Sequence, residues 1–439
     1  MRTSNEKIII NQVKFDAVID NYKEIVDRLV KLYPVSNGDK YARLVNFKCN
    51  LTAPKHGWYD YKQGYSKELV GALIEESNLK AGDCVLDPFC GVGTTNLTAQ
   101  EMGFKSVGLD VNPMAILATR VKTHHFTAEE LESIDSIIKN FKLAKHNDNT
   151  EYSKAVISAF TPDVLEALLN IKSFVASINY EYVQGFFRLV LLSIIDVCSL
   201  KVKDGNGLKF KKNRPTNLNV LDIYLKQANK MFAELKEANY DVEAVAVWDS
   251  ATNLANIEEV NRQKIALCVF SPPYANCFDY CEVYKLELWL GGYVKSTTDF
   301  ETYRNLALRS HVNSKFDHSI RKENSDVNLI ADLLSTFNLW NKNIPDMIRG
   351  YFDDMRVLLA DLKECLADGA KCFIVVANSG YKGILVPTDL LLADIAKDLG
   401  YSVNNIFSAR KIRSSSQQMH VLNSEYDNLM RESIIEIQK

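Results

Sequence analysis

Two short stretches of the chain combine residue types that can do chemistry. The first is Ser271-Pro272-Pro273-Tyr274, directly after the apolar run Ile265 to Phe270. Proline fixes the main chain and has no N–H to give. Carbonyl oxygens and the Ser271 hydroxyl are therefore left to accept hydrogen bonds, while Tyr274 offers a flat apolar face and a hydroxyl. Such a corner can hold a planar heterocycle by stacking, its exocyclic amino group donating to Ser271 Oγ and the Pro272 carbonyl. A Pro-Pro pair taken alone is a rigid turn. The chemical reading comes from its place at a strand end neighbouring the second stretch.

That second stretch runs from Val85 to Thr95. The apolar residues Cys84 to Leu86 end in Asp87, and Pro88, Phe89 and Cys90 lead into Gly91-Val92-Gly93, then Thr94 and Thr95. This reads as strand, glycine turn, helix start. Glycine adopts backbone angles that other residues avoid and lets a ligand approach the main chain. A helix start presents unpaired N–H groups. Together they predict a cofactor cradle at the carboxyl end of a first parallel strand. No Gly-Lys-Ser/Thr follows, which excludes a P-loop, and Asn96 stands where a nicotinamide fingerprint has its third glycine. A second short strand, Lys105 to Leu109, ends at Asp110, roughly 20 residues past the turn, where an acid accepts hydrogen bonds from a ribose. The pairing favours a nucleoside-bearing cofactor.

The remaining elements must hold these two stretches. Phe15, Ile19, Tyr22, Ile25, Val26, Leu29 and Val30 fall at helical spacing and predict an amphipathic helix ending near Pro34. Phe47, Trp58, Tyr59, Tyr61 and Tyr65 crowd a loop with Pro54, Gly57 and Gly64; they either line a pocket or pack on the core. Ser66 reads as the N-cap of a helix carrying Leu69, Val70, Leu73 and Ile74. Between Ala128 and Asn239 strand–helix alternation gives way to helices, among them the apolar Tyr182 to Leu200. Here Lys201, Lys203, Lys209, Lys211, Lys212 and Arg214, opposed only by Asp204, suggest a flexible arm meeting phosphates. Alternation resumes with Val242 to Val247, ending at Trp248-Asp249, and then Ile265 to Phe270. A second helical, aromatic-rich insertion follows. A strand Cys372 to Ala377, a helix capped by Thr388, and two strands, Val403 to Phe407 and Ile434 to Ile437, complete the chain. The last two have no crossover helix between them and predict an antiparallel pair at a sheet edge. The fold class is α/β: a mostly parallel, Rossmann-like sheet with an antiparallel C-terminal edge pair and two helical insertions.

Composition narrows the function classes. The 439 residues are 47% hydrophobic and 24% charged, with a net charge of −3, so any nucleic-acid surface must be a local patch. Nine cysteines form no Cys-x-x-Cys pair, which argues for reduced, mostly buried thiols and against structural zinc. The first residues lack an apolar signal core. Tyr182 to Leu200 carries Gln184, Arg188 and Asp196, so it reads as a core helix rather than a membrane span. The expectation is a cytoplasmic protein with no membrane association.

These motifs resemble those of the S-adenosylmethionine-dependent amino methyltransferases that modify DNA bases. Asp87 to Thr95 looks like their donor-binding motif and Ser271 to Tyr274 like their catalytic motif, in the serine form typical of cytosine-N4 enzymes. The resemblance implies S-adenosyl-L-methionine as cofactor and double-stranded DNA as partner. It further implies a flipped-out cytosine as target and a restriction endonuclease as functional counterpart. It assigns Ser271, Pro272, Pro273 and Tyr274 to catalysis. Tyr65, Ser66, Asp87, Pro88, Phe89, Gly91, Gly93, Thr94, Thr95, Asp110 and Asp249 become donor-site residues. No metal is required. Candidate DNA contacts are Lys209, Lys211, Lys212 and Arg214 in the first basic loop, and Arg410, Lys411, Arg413 and Gln417 in the loop joining the last two strands. Asn378-Ser379-Gly380, Pro387-Thr388-Asp389 and Arg431-Glu432-Ser433-Ile434 are also similar to family segments. The implied division is residues 1–45 as an N-terminal helical segment, 46–125 as the donor-binding part and 126–240 as a helical insertion with the basic loop. Residues 241–280 form the catalytic-motif part, 281–343 a second insertion and candidate target-recognition region, and 344–439 the C-terminal part. One departure stands out: many cytosine-N4 enzymes place the catalytic motif first, whereas here the donor motif precedes it. Adenine-N6 transfer, RNA amino methylation and a catalytically silent DNA-binding module remain the alternatives.

Overall fold

The computed structural model describes residues 18–143, 145, 146, 150–205, 207–316, 325–412 and 424–439. In chain order its strands are β1 (Ser36–Asn37), β2 (Cys84–Asp87), β3 (Lys105–Asp110), β4 (Lys201–Asp204), β5 (Gly207–Phe210) and β6 (Ala244–Trp248). They continue with β7 (Ile265–Phe270), β8 (Leu366–Ala377), β9 (Ser379–Tyr381), β10 (Ile384–Val386), β11 (Ser402–Lys411) and β12 (Arg431–Gln438). The chain divides into two compact units, each discontinuous in sequence. One comprises Arg43–Phe270 with Asp279–Ala307; the other comprises Met1–Ala42, Ser271–Phe278 and Leu308–Lys439.

The first of these units is built on a parallel layer in the order β7-β2-β3-β6. Every pairing in it is parallel. β2 is buried at all four positions and β7 at five of six. That unbroken apolar pattern suits strands covered on both faces, as crossover helices require. Helix Thr94–Glu101 joins β2 to β3, and helix Pro113–Thr123 follows β3. The result is an α/β, Rossmann-like layer. Helices Pro162–Ala176, Glu181–Cys198 and Val220–Glu237 build the predicted helical region. Among the described residues no helix is long and apolar enough to cross a membrane.

One expectation is corrected here. The basic stretch after Leu200 is not a flexible arm but an antiparallel hairpin, β4 with β5. Its cations have more partners than the local sequence shows. Lys203 is buried between Glu287 (2.5 Å) and Asp196 (2.9 Å), two acids that lie outside the stretch.

In the other unit β1 runs parallel to β11, β11 is antiparallel to β12, and β12 is antiparallel to β8. The predicted C-terminal pair forms as β11 and β12, and β1 extends it beyond β11. A short hairpin, β9 with β10, precedes helix Thr388–Asp398. Thr388 does not cap that helix. Pro387 occupies the cap, and Thr388, already helical, donates back to the Val386 carbonyl at 3.3 Å.

Candidate functional site

At the end of β2 the cradle is organised by one carboxylate. Asp87 Oδ2 accepts from the Tyr65 hydroxyl (2.7 Å) and Thr95 Oγ1 (2.6 Å), and Oδ1 accepts from the Phe89 amide (2.9 Å). One buried acid thus ties together the aromatic lead-in, the turn and the helix start. Burial pushes its carboxyl up to about 6, against the lowering effect of hydrogen bonds from Thr95 and Tyr65. Tyr65 also donates to the Val269 carbonyl on β7 at 3.3 Å. Ser66 is fully buried and, as its sequence context predicts, caps helix Lys67–Glu76 by accepting from the Leu69 amide at 3.4 Å. Pro88 is buried, half-buried Phe89 packs against Phe270, and Thr94 Oγ1 accepts from Asn50 at 3.3 Å.

The glycine turn itself is demanding. Gly91 has φ +50° and Gly93 φ +79°, angles in the left-handed region. A Cβ on Gly91 would lie 2.9 Å from the Tyr61 ring, and one on Gly93 would lie 2.7 Å from Thr119 Cγ2. Tyr61 in turn stacks on Tyr284 (centroids 5.0 Å apart, 8° between planes), and Tyr284 stacks on Tyr280. The aromatic loop left open by the sequence therefore packs onto the cradle. Nothing local in the sequence links Tyr284 and Tyr280 to a loop some two hundred residues upstream.

The missing third glycine also has an explanation. Asn96 is buried and bonds Ser106 (3.3 Å) and the Val245 carbonyl (3.2 Å). Close approach of helix and strand is achieved on the strand side instead: a Cβ on Gly108 of β3 would sit 2.4 Å from Asn96 Oδ1.

Two acids end adjacent strands of this layer, since Asp110 on β3 pairs in register with Trp248 on β6 and Asp249 follows. Half-buried Asp110 accepts from the Gly91 amide (3.0 Å) and the Asn112 amide (2.8 Å), and burial pushes its carboxyl up to about 6. Asp249 accepts from the Ser250 amide (2.6 Å) and Asn253 (3.1 Å). A carboxylate has about four acceptor directions. Both acids therefore keep capacity for ribose hydroxyls and an adenine amino group, and this donor set fits S-adenosylmethionine.

The Ser-Pro-Pro-Tyr corner follows β7 by a single peptide bond. Ser271 Oγ donates to the Tyr274 hydroxyl at 3.4 Å, and Tyr274 donates to Glu432 Oε1 at 2.7 Å. The other Glu432 oxygen accepts from Arg410 Nε at 2.5 Å. Glu432 is 4% exposed and sits on β12 opposite Arg410 of β11. Pro272 is buried, while Ser271, Pro273 and Tyr274 are half-buried. Tyr381 donates to the Ala275 carbonyl at 2.7 Å and pins the exit of the corner. The sequence shows Glu432 only as part of Arg431-Glu432-Ser433-Ile434; its link to Tyr274 needs the folded sheet.

The segments around it form a second network. Asp389, fully buried, accepts from Arg431 Nε (2.8 Å) and Ser433 Oγ (2.7 Å), while Asn378 Oδ1 accepts from the Asp389 amide (3.0 Å). It locks β12 to helix Thr388–Asp398.

The expected nucleic-acid residues separate. Arg410 is engaged by Glu432, and Lys411 is exposed at the end of β11. Arg413 and Gln417 lie outside the described residues. On the hairpin Lys209 pairs with Asp204 (2.7 Å), Lys211 donates to the Asp196 carbonyl (2.5 Å) and the Arg214 guanidinium lies 4.7 Å from the Phe210 ring centre. Lys212 is exposed.

Comparison with known proteins adds independent information. A family model described as DNA methylase matches residues 15–120. The chain is 28% identical over 444 residues to the type II methyltransferase M.BsoBI of Geobacillus stearothermophilus, covering 86% of this chain and 84% of that one. It is 27% identical over 417 residues to the type II methyltransferase M.AvaI of Nostoc sp., covering 86% and 85%. A shorter match, 31% over 99 residues, links it to a tRNA (guanine(10)-N2)-dimethyltransferase of Methanothermobacter thermautotrophicus, covering 23% of this chain and 30% of that one.

Proposed function

We propose that this chain, a member of the S-adenosylmethionine-dependent DNA amino methyltransferases, transfers the methyl group to the exocyclic N4 of cytosine in double-stranded DNA. The serine form of the corner is what favours cytosine over adenine, and the observation that supports amino-group transfer is the hydrogen bonding around Ser271. The Ser271 proton goes to Tyr274 and the Tyr274 proton goes to Glu432. Ser271 Oγ is thereby left with lone pairs outward, an acceptor for an incoming amino group.

S-adenosylmethionine supplies the electrophilic methyl on a positively charged sulfur, so the protein's task is to position and polarise. The cytosine amino nitrogen is a weak nucleophile because its lone pair is delocalised into the ring. Donating to Ser271 Oγ and the Pro272 carbonyl rotates that nitrogen out of conjugation and aims its lone pair. Tyr274 stacks on the base, its ring held by Glu432. With the donor bound, the N–C bond would form as the S–CH3 bond breaks, S-adenosylhomocysteine would leave as a neutral thioether, and the nitrogen would give its surplus proton to water. Positioning of this kind supplies most of the acceleration. A base in a duplex must be flipped out to reach such a corner, at a cost of about a few kcal/mol, partly offset by stacking. Exposed Lys212 and Lys411 are the candidate phosphate contacts, together with Lys209 and Arg214 once the hairpin meets DNA. Pairing with a restriction endonuclease in the cytoplasm accords with the type II methyltransferases the chain resembles.

The test is to methylate DNA of varied sequence, digest it to nucleosides and identify the product by mass spectrometry. N4-methylcytosine is expected. N6-methyladenine would move the target to adenine, and no modified nucleoside in DNA would turn the reading towards RNA.

A further inference from the structure

The glycine turn is gripped from behind by one helix, and the grip includes a buried lysine. Thr119 of helix Pro113–Thr123 donates to the Gly91 carbonyl at 3.0 Å. One turn on, Lys122 Nζ donates to the Val92 carbonyl at 3.1 Å and to the His56 carbonyl at 3.2 Å. Lys122 is 1% exposed. Among the described residues its ammonium has no carboxylate partner, and these two carbonyls are its hydrogen-bond acceptors. Burying a lysine ammonium without an ion pair is costly, and the two carbonyl bonds offset part of that cost.

Those groups come from two segments. Val92 lies between the two glycines of the turn. His56 opens a 3-10 turn, His56–Trp58, in the aromatic lead-in that packs onto the turn through Tyr61. Thr119 and Lys122 together draw two successive carbonyls of the turn towards the helix. The peptide that Lys122 holds through the Val92 carbonyl is held on its other edge too, where the Gly93 amide donates to the Cys90 carbonyl at 2.8 Å.

We infer that Lys122 is a positioning residue for donor binding, a staple that fixes the glycine turn and the aromatic lead-in in the donor-binding geometry. This rests on the reading of the turn as the S-adenosylmethionine cradle. Burial and the neighbouring Lys55 lower the Lys122 pKa to about 7, with Glu234 opposing. A neutral amine keeps two N–H donors for the two carbonyls, so loss of the proton weakens these charge-assisted bonds without removing them. The other ionisable groups around it are Lys55, itself lowered to about 8, and the His56 ring, which faces Glu101 at 3.4 Å. Lys67 also pairs with Glu101, at 2.7 Å. All of these remain in a Lys122 variant, so a difference between variant and wild type isolates Lys122.

The experiment is calorimetric titration of the full chain with S-adenosylhomocysteine from about pH 6 to about pH 9, beside methyl-transfer kinetics. Once Asp110 is ionised, wild-type affinity is expected to fall about tenfold towards the alkaline end of this range. Lys122→Gln keeps an N–H donor that does not titrate and should flatten the profile. Lys122→Met should raise the donor KM about tenfold with kcat at saturating donor little changed. Overlapping wild-type and Lys122→Gln profiles would overturn the inference, as would wild-type affinity in Lys122→Met. Failure of both variants to fold would assign Lys122 to stability alone and overturn it too. If wild type binds no S-adenosylhomocysteine at any pH, it is the donor-site reading that fails.

Discussion

The Tyr274 hydroxyl donates to the Glu432 carboxylate at 2.7 Å, across 158 residues of sequence. Arg410 holds the second oxygen, so the acid cannot turn away. Tyr274→Phe keeps the stacking face and removes the link. We expect kcat to fall about tenfold, the loss of one charged hydrogen bond, with S-adenosylhomocysteine affinity unchanged. Glu432→Ala should cost more, about a hundredfold in kcat, because both the ring and the Ser271 proton lose their direction. Single-turnover transfer of labelled methyl to DNA measures both; unchanged rates would dismiss the relay.

Ser271 carries a sharper expectation. Ser271→Ala removes the acceptor for the target amino group while leaving the main-chain corner in place. Methylation should fall by about a hundredfold or more, and donor affinity measured by calorimetry should stay at the wild-type value. Normal transfer by this variant would sink the catalytic assignment.

Asp87 and Asp110 predict a dependence on acid. Burial raises both from 3.8 to about 6. A raised folded-state value means each contributes stability in its protonated form, complete below 3.8 and lost as pH rises through about 6. Donor binding runs the other way, since Asp110 must be ionised to accept ribose hydroxyls strongly. S-adenosylhomocysteine affinity should fall with a limit of about tenfold per pH unit below about 6. Titration calorimetry on wild type and Asp110→Asn checks this: the variant binds weakly but should lose most of the acid limb.

The buried Lys203–Glu287 pair is a stability prediction. Burial alone would lower the lysine pKa, but Glu287 and Asp196 carry it above the ordinary value. Lys203→Met strands a buried carboxylate and should cost about 3–5 kcal/mol, whereas the double change Lys203→Met with Glu287→Leu should recover much of it. Urea unfolding of the two variants decides between them.

Gly108 is the last. Its Cβ would lie 2.4 Å from Asn96 Oδ1, so Gly108→Ala should destabilise by about 1–3 kcal/mol through overpacking. Gly108→Ala combined with Asn96→Ala should relieve part of that loss, read as the shift in thermal midpoint.

Local pattern was enough for much of the fold. β7 begins and ends where the apolar run Ile265 to Phe270 does, and Ser66 caps the helix its context predicts. Both depend on neighbours within a few residues. Counting charges along 201–214 omits Asp196 and Glu287, which neutralise Lys203 from other helices. Arg410 shows the same limit: its pairing with Glu432 becomes visible only when β12 lies beside β11.

The sequence by itself determined the chemistry on offer: a glycine turn after a buried strand, acids at successive strand ends, and a proline-rigid corner ending in tyrosine. Those follow from backbone constraints of glycine and proline and from hydrophobic period, all properties of adjacent residues. Only the tertiary structure decided which groups are engaged and which remain able to act. It put Asp87 inside as a brace, made Asp110 a half-buried acceptor, turned the Ser271 hydrogen towards Tyr274, and set Lys122 behind the turn. Hydrogen-bond direction and burial depend on what arrives from distant parts of the chain, and strand pairing in three dimensions alone fixes that.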